Sequence, residues 1–309
     1  MQSSHRACEA ISGGAKIERG MGKASTAARR GTRVRHAIKD KGELRIGISG
    51  WRYPPWRGVF YPPKHPQPRE LEYASRIFST IEINGTFYSL QRPSSFEKWY
   101  RESPAGFLFS VKGARFITHM KKLRDVRIPL ANFFASGVLH LREKLGPILW
   151  QFPPNFRWNE KRFQEFFELL PKNTAEAAVL AREHNEKLKS EAFTKTDAER
   201  PLRYAVEIRH ESFLVPDFFA LLRAYRAAFV LADTAGKWPY AEELTADFVY
   251  CRLHGDEQLY VSGYSDAALK LWAKRVRRWR RGRDVFIYFD NDAKVHAPFD
   301  AQQLNRLLA

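Results

Sequence analysis

Short apolar, β-rich runs alternate with longer helical patterns along the chain after residue 43. Eight such runs follow one another, at residues 44–49, 79–84, 107–112, 147–152, 203–208, 227–232, 247–253 and 284–289. Their first residues are about 34 positions apart on average, which is the length of one strand followed by one helix. The pattern therefore predicts repeated βα units with parallel strands.

Amphipathic helices are predicted between the runs, because apolar side chains recur there at helical spacing. The apolar stripes consist of Leu130, Phe133, Phe134, Val138, Leu141 and Leu145, of Phe163, Phe166, Phe167 and Leu170, of Phe218, Phe219, Leu222 and Tyr225, and of Leu269, Trp272, Val276 and Trp279. We expect Asn159 and Ser265 to cap the second and fourth of these helices, and Gly282 to follow the end of the fourth. Asp300 is expected to cap a short last helix.

Eight βα units predict the α/β class and a (β/α)8 TIM barrel, formed by residues 43–309 as a single domain. Only 14 residues separate the sixth and seventh runs, and they include Pro239, so the sixth βα unit is expected to be atypically short. The charged stretch 182–200 is predicted to be a surface excursion. The competing architecture is an open doubly wound sheet. However, no G-x-G-x-x-G motif follows a run, so the sequence carries no nucleotide cofactor motif of that type.

The net charge of +18 is concentrated in two places. Residues 1–42 carry ten basic and three acidic side chains without apolar periodicity, which predicts a disordered, basic N-terminal extension that is dispensable for folding. Residues 270–283 form the basic face of a predicted helix. This face can be a solvated outer surface or a patch that binds nucleic acid.

Cysteine content and hydropathy predict a cytoplasmic protein without a membrane partner. Cys8 and Cys251 are too few for a disulfide framework or a four-cysteine zinc site, which favours a reducing compartment. No apolar run approaches the ~20 residues that a membrane-spanning helix needs.

Polar or aromatic side chains follow all eight runs, at the strand ends where a TIM barrel places its active site. They are Trp51, Tyr53, Glu82, Asn84, Tyr88, Lys112, Arg115, His119, Gln151, Glu207, Arg209, His210, Asp233, Arg252, His254, Tyr288, Asp290, Asn291 and Asp292. Leaving such a group buried and unpaired costs ~1–3 kcal/mol, so their accumulation at one rim indicates a functional site.

Each group of side chains suggests a role. Glu82 or Glu207 is expected as a general base, and Asp290 is a further catalytic candidate. An acid or metal-ligating role is expected for His119, His210 and His254. The cations Lys112, Arg115, Arg209 and Arg252 are expected to hold an anion. Further substrate contacts are expected from Trp51, Tyr53, Asn84, Tyr88, Gln151 and Asn291.

Three alternatives remain open at this stage. Glu207 and Arg209 can form an internal salt bridge, although we expect Glu207 to be functional and its replacement by Gln to change stability little. A divalent metal can bind among the histidines and carboxylates, including Asp233, but no H-x-x-x-H pair indicates one. The aromatic loop at residues 51–63 can form a stacking wall or a packed lid.

Seven segments in order resemble the YecE-like family, a domain family of unknown function. They are IGISGWRYPPWRGVFYP (46–62), IEINGTFYSLQRPSSFEKW (81–99), FSVKGARFITH (109–119), LGPILWQFPPNF (145–156), AVEIRHESF (205–213), FVYCRLHG (248–255) and YFDND (288–292). The resemblance covers about residues 44–300 and implies a TIM barrel, without an established activity. Phe213 stands where many relatives carry Trp.

The residues at the strand ends predict an enzyme of the hydrolase or lyase/isomerase type. Its substrate is expected to carry phosphate, as a nucleic acid, a nucleotide or a sugar phosphate does. The alternative is a non-catalytic protein that binds nucleic acid or a small anion. A steep salt dependence of nucleic-acid binding that survives changes at the rim would favour the alternative.

Overall fold

The computed structural model describes residues 41–309, which contain a closed barrel of eight parallel strands. Each strand pairs with the next one in the chain, and the last strand pairs with the first. The strands are β1 (Leu44–Ser49), β2 (Thr80–Ile83), β3 (Leu108–Lys112), β4 (Leu145–Gln151), β5 (Tyr204–Glu207), β6 (Ala228–Asp233), β7 (Phe248–Leu253) and β8 (Asp284–Phe289). The predicted α/β class and TIM barrel are confirmed.

Helices connect most of the strands. They are α1 (Glu70–Ile77), α2 (Gly85–Tyr88), α3 (Pro93–Glu102), α4 (Arg127–Ala135), α5 (Glu160–Leu169), α6 (Thr174–Ala181), α7 (Pro216–Ala224), α8 (Asp266–Trp279) and α9 (His296–Leu308). The predicted caps of α5 and α8 are confirmed, because Asn159 Oδ1 accepts from Arg162 N at 3.0 Å and Ser265 Oγ accepts from Ala268 N at 3.2 Å. Residues 234–247, between β6 and β7, contain no helix, as the short sixth unit predicts.

Two helix predictions are wrong. The apolar stripe from Leu130 to Leu145 belongs to α4, to a 3-10 helix at Val138–Lys144 and to the start of β4. Gly137 causes the break, because its φ of 115° lies in the left-handed region that ends a helix. Asp300 does not cap α9, which begins four residues earlier, and its Oδ2 instead accepts from Tyr264 N at 3.1 Å.

The predicted extension, residues 1–42, lies outside the described residues apart from its last two. Gly42 is buried and donates from its backbone N to Arg280 O at 2.7 Å, so the barrel domain includes at least one residue before the predicted start. The stretch 182–200 has no regular element, and only Leu188 in it is buried, as expected for a surface excursion. Within residues 41–309, no helix has the length and apolar character that crossing a membrane requires.

The inner face of the barrel changes from apolar to polar along the strands. Residues that pair across neighbouring strands share a face, so Ser49 lies beside Glu82 and Gln151 beside Glu207. The apolar inner residues include Leu149, Ala205, Ala228, Val230, Phe248 and Phe286. The buried polar residues toward the carboxyl ends are Ser49, Glu82, Ser110, Lys112, Gln151, Glu207 and Arg252. We call this carboxyl-terminal end of the barrel the mouth.

Candidate active site

Arg252, on β7, lies at the centre of the mouth and is fully buried. Its Nη2 and Nε donate to Glu82 Oε1 and Oε2 at 2.9 and 3.1 Å, and its Nη1 donates to Glu207 Oε2 at 2.8 Å. Nη2 also donates to Asp290 Oδ2 at 2.7 Å. Because Glu82 lies in β2, Glu207 ends β5 and Asp290 follows β8, these bonds tie together distant sides of the barrel. We call these four residues the Arg252 cluster.

Both carboxylate oxygens of Glu82 are engaged by further donors. Ser49 Oγ donates to Oε1 at 3.0 Å, and Tyr250 OH donates to Oε2 at 2.6 Å. Together with the two bonds from Arg252, each oxygen therefore accepts twice. In this structure Glu82 therefore holds the guanidinium of Arg252 in place.

Both carboxylate oxygens of Glu207 also accept hydrogen bonds. Gln151 Nε2 and Arg209 Nε donate to its Oε1 at 2.7 and 3.1 Å, while Oε2 accepts from Arg252. Burial alone would raise the pKa of Glu207, but Arg252 and Arg209 outweigh burial and hold that pKa well below its ordinary value. The internal salt bridge between Glu207 and Arg209 is therefore present. Glu207 is a poor base, and Gln151 positions Glu207.

His254 and Asp290 form a polar pair above Arg252. His254 is fully buried, and its Nε2 lies 3.4 Å from Arg252 Nη1, which can only donate. The other ring nitrogen, Nδ1, lies 3.0 Å from Asp290 Oδ2. Burial would raise the pKa of Asp290, but Arg252 and His254 lower it to about 2. Asp290 is therefore ionised at neutral pH.

Lys112 ends β3 on the inner face and is 8% exposed. Its Nζ lies 4.5 Å from the centre of the Phe87 ring and, within residues 41–309, forms no ion pair. Burial, followed by the charge of Arg252, lowers the pKa of Lys112 to about 8. This ammonium thus differs from Arg209 and Arg252, whose charges are matched by carboxylates.

Fewer than the four predicted cations are available to an anion at the mouth. Arg252 was expected to contact the anion, but it is buried beneath three carboxylates and cannot present its charge to a ligand. Arg115 is exposed at the rim. Lys112 remains at the mouth, together with the edge of Arg209 that Glu207 does not engage.

An aromatic side of the mouth was not predicted. The Arg209 guanidinium stacks over Trp238 at 3.6 Å from the ring centre, and its Nη2 lies 3.4 Å from Tyr260 OH. The ring of Tyr260 lies edge-on to that of His254, with centres 5.2 Å apart. Trp238 and Tyr260 belong to the loops that follow β6 and β7, where hydrophobic periodicity carries no information.

Asp292, which the sequence places after the eighth run without a specific role, is a further titratable group near the mouth. Burial, followed by the neighbouring charge of Asp290, raises the pKa of Asp292 to about 6. Tyr53 lies nearby and donates from its OH to Ser49 O at 2.5 Å. Asn84 Oδ1 is buried without a hydrogen-bond partner in the described part of the chain. The Asp-Asn-Asp sequence after β8 was the available signal.

Several predicted site residues have structural contacts instead. His210 Nδ1 accepts from Ser212 N at 3.0 Å and so caps a 3-10 turn. Asn291 is buried and donates from Nδ2 to Ser262 O at 2.9 Å. Trp51 is buried against Trp99, with ring centres 5.4 Å apart. We therefore remove these three from the candidate site.

Asp233 is separated from the other carboxylates by the register of the strands. Ala232 pairs with Arg252 and shares its inward direction, so the next residue, Asp233, points outward. Its Oδ2 accepts from Tyr264 OH at 3.1 Å. The expected grouping of Asp233 with the other carboxylates is wrong.

Two of the remaining predicted residues, His119 and Tyr88, pack against the ring of Phe87. His119 lies edge-on to Phe87 with ring centres 5.0 Å apart, and Tyr88 does so at 5.1 Å. Burial, followed by the charges of Arg209 and Lys112, lowers the pKa of His119 to about 4, so its imidazole is neutral at pH 7. Tyr88 is 71% exposed and lies outside the mouth.

The aromatic loop after β1 is a packed lid. Trp56, Phe60 and Tyr61 are buried, and the rings of Trp56 and Phe60 lie edge-on with centres 5.5 Å apart. Tyr61 OH donates to Trp51 O at 2.5 Å and closes the loop. The structure thus supports the lid rather than the stacking wall.

The donors at the mouth do not fit a metal ion. Within residues 41–309, no three His, Cys, Asp or Glu side chains are grouped so that they could hold one. Glu82, Glu207 and Asp290 instead surround the guanidinium of Arg252. The carboxylates that would be the ligands of a metal ion are thus already paired with the positive charge of Arg252.

Much of the basic stretch 270–283, in α8 and just after it, makes contacts within the protein. Arg275 and Arg278 pair with Glu242. Arg280 Nε donates to Gly42 O at 2.7 Å, and Arg283 Nε donates to Ala246 O at 3.1 Å. These contacts support the interpretation of this surface as an outer face of the barrel.

Comparison with known proteins assigns the family. The model of the family described as protein of unknown function DUF72 matches residues 45–309. UPF0759 protein YunF of Bacillus subtilis is 23% identical over 294 residues, which cover 85% of this chain and 94% of YunF. UPF0759 protein YecE of Escherichia coli is 21% identical over 257 residues, which cover 82% of this chain and 88% of YecE.

A solved structure agrees with this match. The crystal structure of a DUF72 family protein from Thermotoga maritima aligns with a TM-score of 0.68 and 26% identity, covering 86% of this chain and 99% of the other. The resemblance to the YecE-like family is confirmed. The chain belongs to the DUF72 family, whose function is unknown.

Proposed function

We propose that this protein is an acid–base enzyme that acts on a small phosphate-bearing molecule bound at the mouth. The observation that carries the proposal is Lys112, a buried ammonium on the inner face that has no ion pair within residues 41–309. Burying a charge without a partner is costly, and such a group is retained where a ligand supplies the missing charge.

The charge balance of the mouth supports an anionic ligand. Arg252 is neutralised within its cluster, and Arg209 is paired with Glu207. A phosphate beside Lys112 would restore the charged form of the amine, because an opposite charge at short range raises a depressed lysine pKa. The unengaged edge of Arg209 and the exposed Arg115 are additional phosphate donors.

Asp292 supports proton transfer. With a pKa of about 6 it is present in both protonation states near neutrality, which is the property that a general acid or base requires. Asp290, two residues away, stays ionised because its pKa is about 2. Two neighbouring carboxylates with pKa values pushed apart are typical of acid–base sites. Isomerases, lyases and hydrolases all use such a group, so the proposal specifies the proton-transfer step and leaves the class among these three.

The binding half of the proposal is tested by thermal unfolding in increasing concentrations of inorganic phosphate. A ligand that binds only the folded protein raises the free energy of unfolding by about 2.7 kcal/mol when its concentration is one hundred times Kd. We expect this gain in the wild type and in Lys161→Met, whose lysine is 87% exposed on α5, and its loss in Lys112→Met. An equal gain in both variants would place the phosphate elsewhere.

The catalytic half is tested with a panel of sugar phosphates and nucleotides, followed by ³¹P NMR. We expect turnover of at least one compound by the wild type. Asp292→Asn should lose that turnover while keeping its stabilisation by phosphate, because Lys112 is unchanged. Phosphate binding without any turnover would favour the non-catalytic small-anion protein.

A further inference from the structure

A cavity of about 650 Å³ lies beside the mouth, between α2, a π-helical turn at Phe116–Met120 and α4. Its volume is within the range of roughly 300–1,000 Å³ that small-molecule sites occupy. Neither the Arg252 cluster nor Asp292 lines it. The role of this cavity is therefore not explained by the chemistry assigned to the mouth.

The cavity collects exposed apolar side chains. Residues 41–309 contain ten large apolar side chains that are exposed, and four of them line this one cavity. They are Tyr88, Phe116, Met120 and Ile128, with exposed fractions of 71%, 38%, 64% and 37%. Scattered apolar side chains are normal on a protein surface, whereas a concave cluster of them marks a binding site.

One wall of the cavity is held in an unfavourable backbone conformation. The π-helical turn is followed by Lys122, Leu123 and Asp125, which have φ values of 49°, 65° and 48°. These residues carry Cβ atoms, for which the left-handed region is disfavoured, and π-helical turns and such strain both concentrate at functional sites. Of these three residues Asp125 lines the cavity, as does Lys121 at the end of the π-helical turn.

Phe87 connects the cavity with the mouth. Phe87 lines the cavity, and Lys112 Nζ, at the mouth, lies 4.5 Å from the centre of its ring. Arg115, Lys121 and Lys187 also line the cavity and leave it cationic. A ligand with its phosphate on Lys112 therefore has an apolar space one aromatic ring away.

We propose that this cavity binds the apolar, aromatic part of a phosphate ester whose phosphate lies on Lys112. The inference rests on the proposed function for the position of the phosphate, and it adds the substrate class, an amphipathic phosphate ester. The cavity supplies affinity through contact with Tyr88, Phe116 and Met120.

The experiment compares inorganic phosphate, 1-naphthyl phosphate and 1-naphthol by isothermal titration calorimetry. We expect 1-naphthyl phosphate to bind the wild type at least tenfold more tightly than phosphate. Met120→Asp should abolish this advantage but keep phosphate binding, because an aspartate makes the cavity polar and leaves Lys112 in place. Leu271→Asp is the matched control, since Leu271 is 61% exposed on α8, far along the chain.

The outcomes separate this inference from the proposed function. Phosphate binding without a naphthyl advantage, or an advantage that survives Met120→Asp, would overturn the inference and leave the proposed function standing. Absence of phosphate binding would overturn the proposed function. In that case the cavity is still tested by 1-naphthol, which we expect to bind independently of Lys112→Met and to be lost in Met120→Asp.

Discussion

Arg252 Nη1 donates to Glu207 Oε2 at 2.8 Å inside the barrel, and both side chains are about 1% exposed. This ion pair joins β7 to β5. Because Arg252 also binds Glu82 and Asp290, the guanidinium is the cation around which the polar layer of the barrel is assembled. The layer keeps its charges by pairing them internally, whereas Lys112, at its edge, forms no ion pair within residues 41–309.

Glu207→Gln should lower the free energy of unfolding by about 3–5 kcal/mol, the usual cost of breaking a buried ion pair. The change leaves Arg252 and Arg209 with one carboxylate fewer, and it places an amide NH₂ beside donors. Denaturant unfolding at neutral pH measures the loss. Glu211→Gln, at an exposed glutamate, is the control and should change stability by less than about 0.5 kcal/mol. A change near zero for Glu207→Gln would restore the sequence-based expectation that Glu207 is not structural.

Asp290 should make the protein acid-sensitive. Its folded-state pKa of about 2 lies below the ordinary value of 3.8, so its contribution is fully present above about pH 4 and is lost as the pH falls through 2. A shift of this size corresponds to about 2 kcal/mol. The free energy of unfolding, measured with denaturant from pH 6 to pH 2, should therefore fall more steeply for the wild type than for Asp290→Asn. Parallel curves would show that Asp290 is not stabilised by Arg252.

Lys112 should lower the stability of the folded protein at neutral pH, whereas Asp290 should raise it. The pKa of Lys112 falls from 10.5 to about 8 on folding, so the charged amine destabilises the folded protein below pH 8. Between pH 8 and 10.5 the folded protein has lost this proton while the unfolded chain keeps it, and wild-type stability should therefore rise with pH in this range. Lys112→Met removes the charge and should gain up to about 3 kcal/mol at pH 7. Its stability should also be flat between pH 8 and 10. Destabilisation at pH 7 by this variant would mean that the ammonium is already satisfied in the folded protein.

The barrel was predictable because the relevant signals are local. The runs of β1 and β8 have the predicted bounds, since apolar β-rich runs and their breaks are visible in the sequence itself. The end of α4 was not predicted, because an apolar stripe continues through Gly137 into the next elements. Periodicity reports the buried face and does not report a break in the backbone.

The site was predictable in its location and not in its pairings. Strand ends indicated Glu82, Glu207, Arg252 and Lys112 correctly as residues of one mouth. Which cation meets which carboxylate depends on the closure of the barrel, which brings together strands far apart in sequence. Arg252 was therefore expected to contact a ligand, although it is the buried centre of the cluster.

The central claim is that Lys112 binds the anionic group of the ligand, and proton linkage with sulfate tests it most directly. Sulfate resembles phosphate but does not titrate near pH 8, so any proton taken up from the buffer on binding is taken up by the protein and not by the anion. Because the pKa of Lys112 is about 8, calorimetry in buffers of different ionisation enthalpy should show uptake of about half a proton at pH 8. Lys112→Met should neither bind sulfate at this site nor take up the proton. Sulfate binding to the wild type without proton uptake, or uptake that persists in Lys112→Met, would contradict the account.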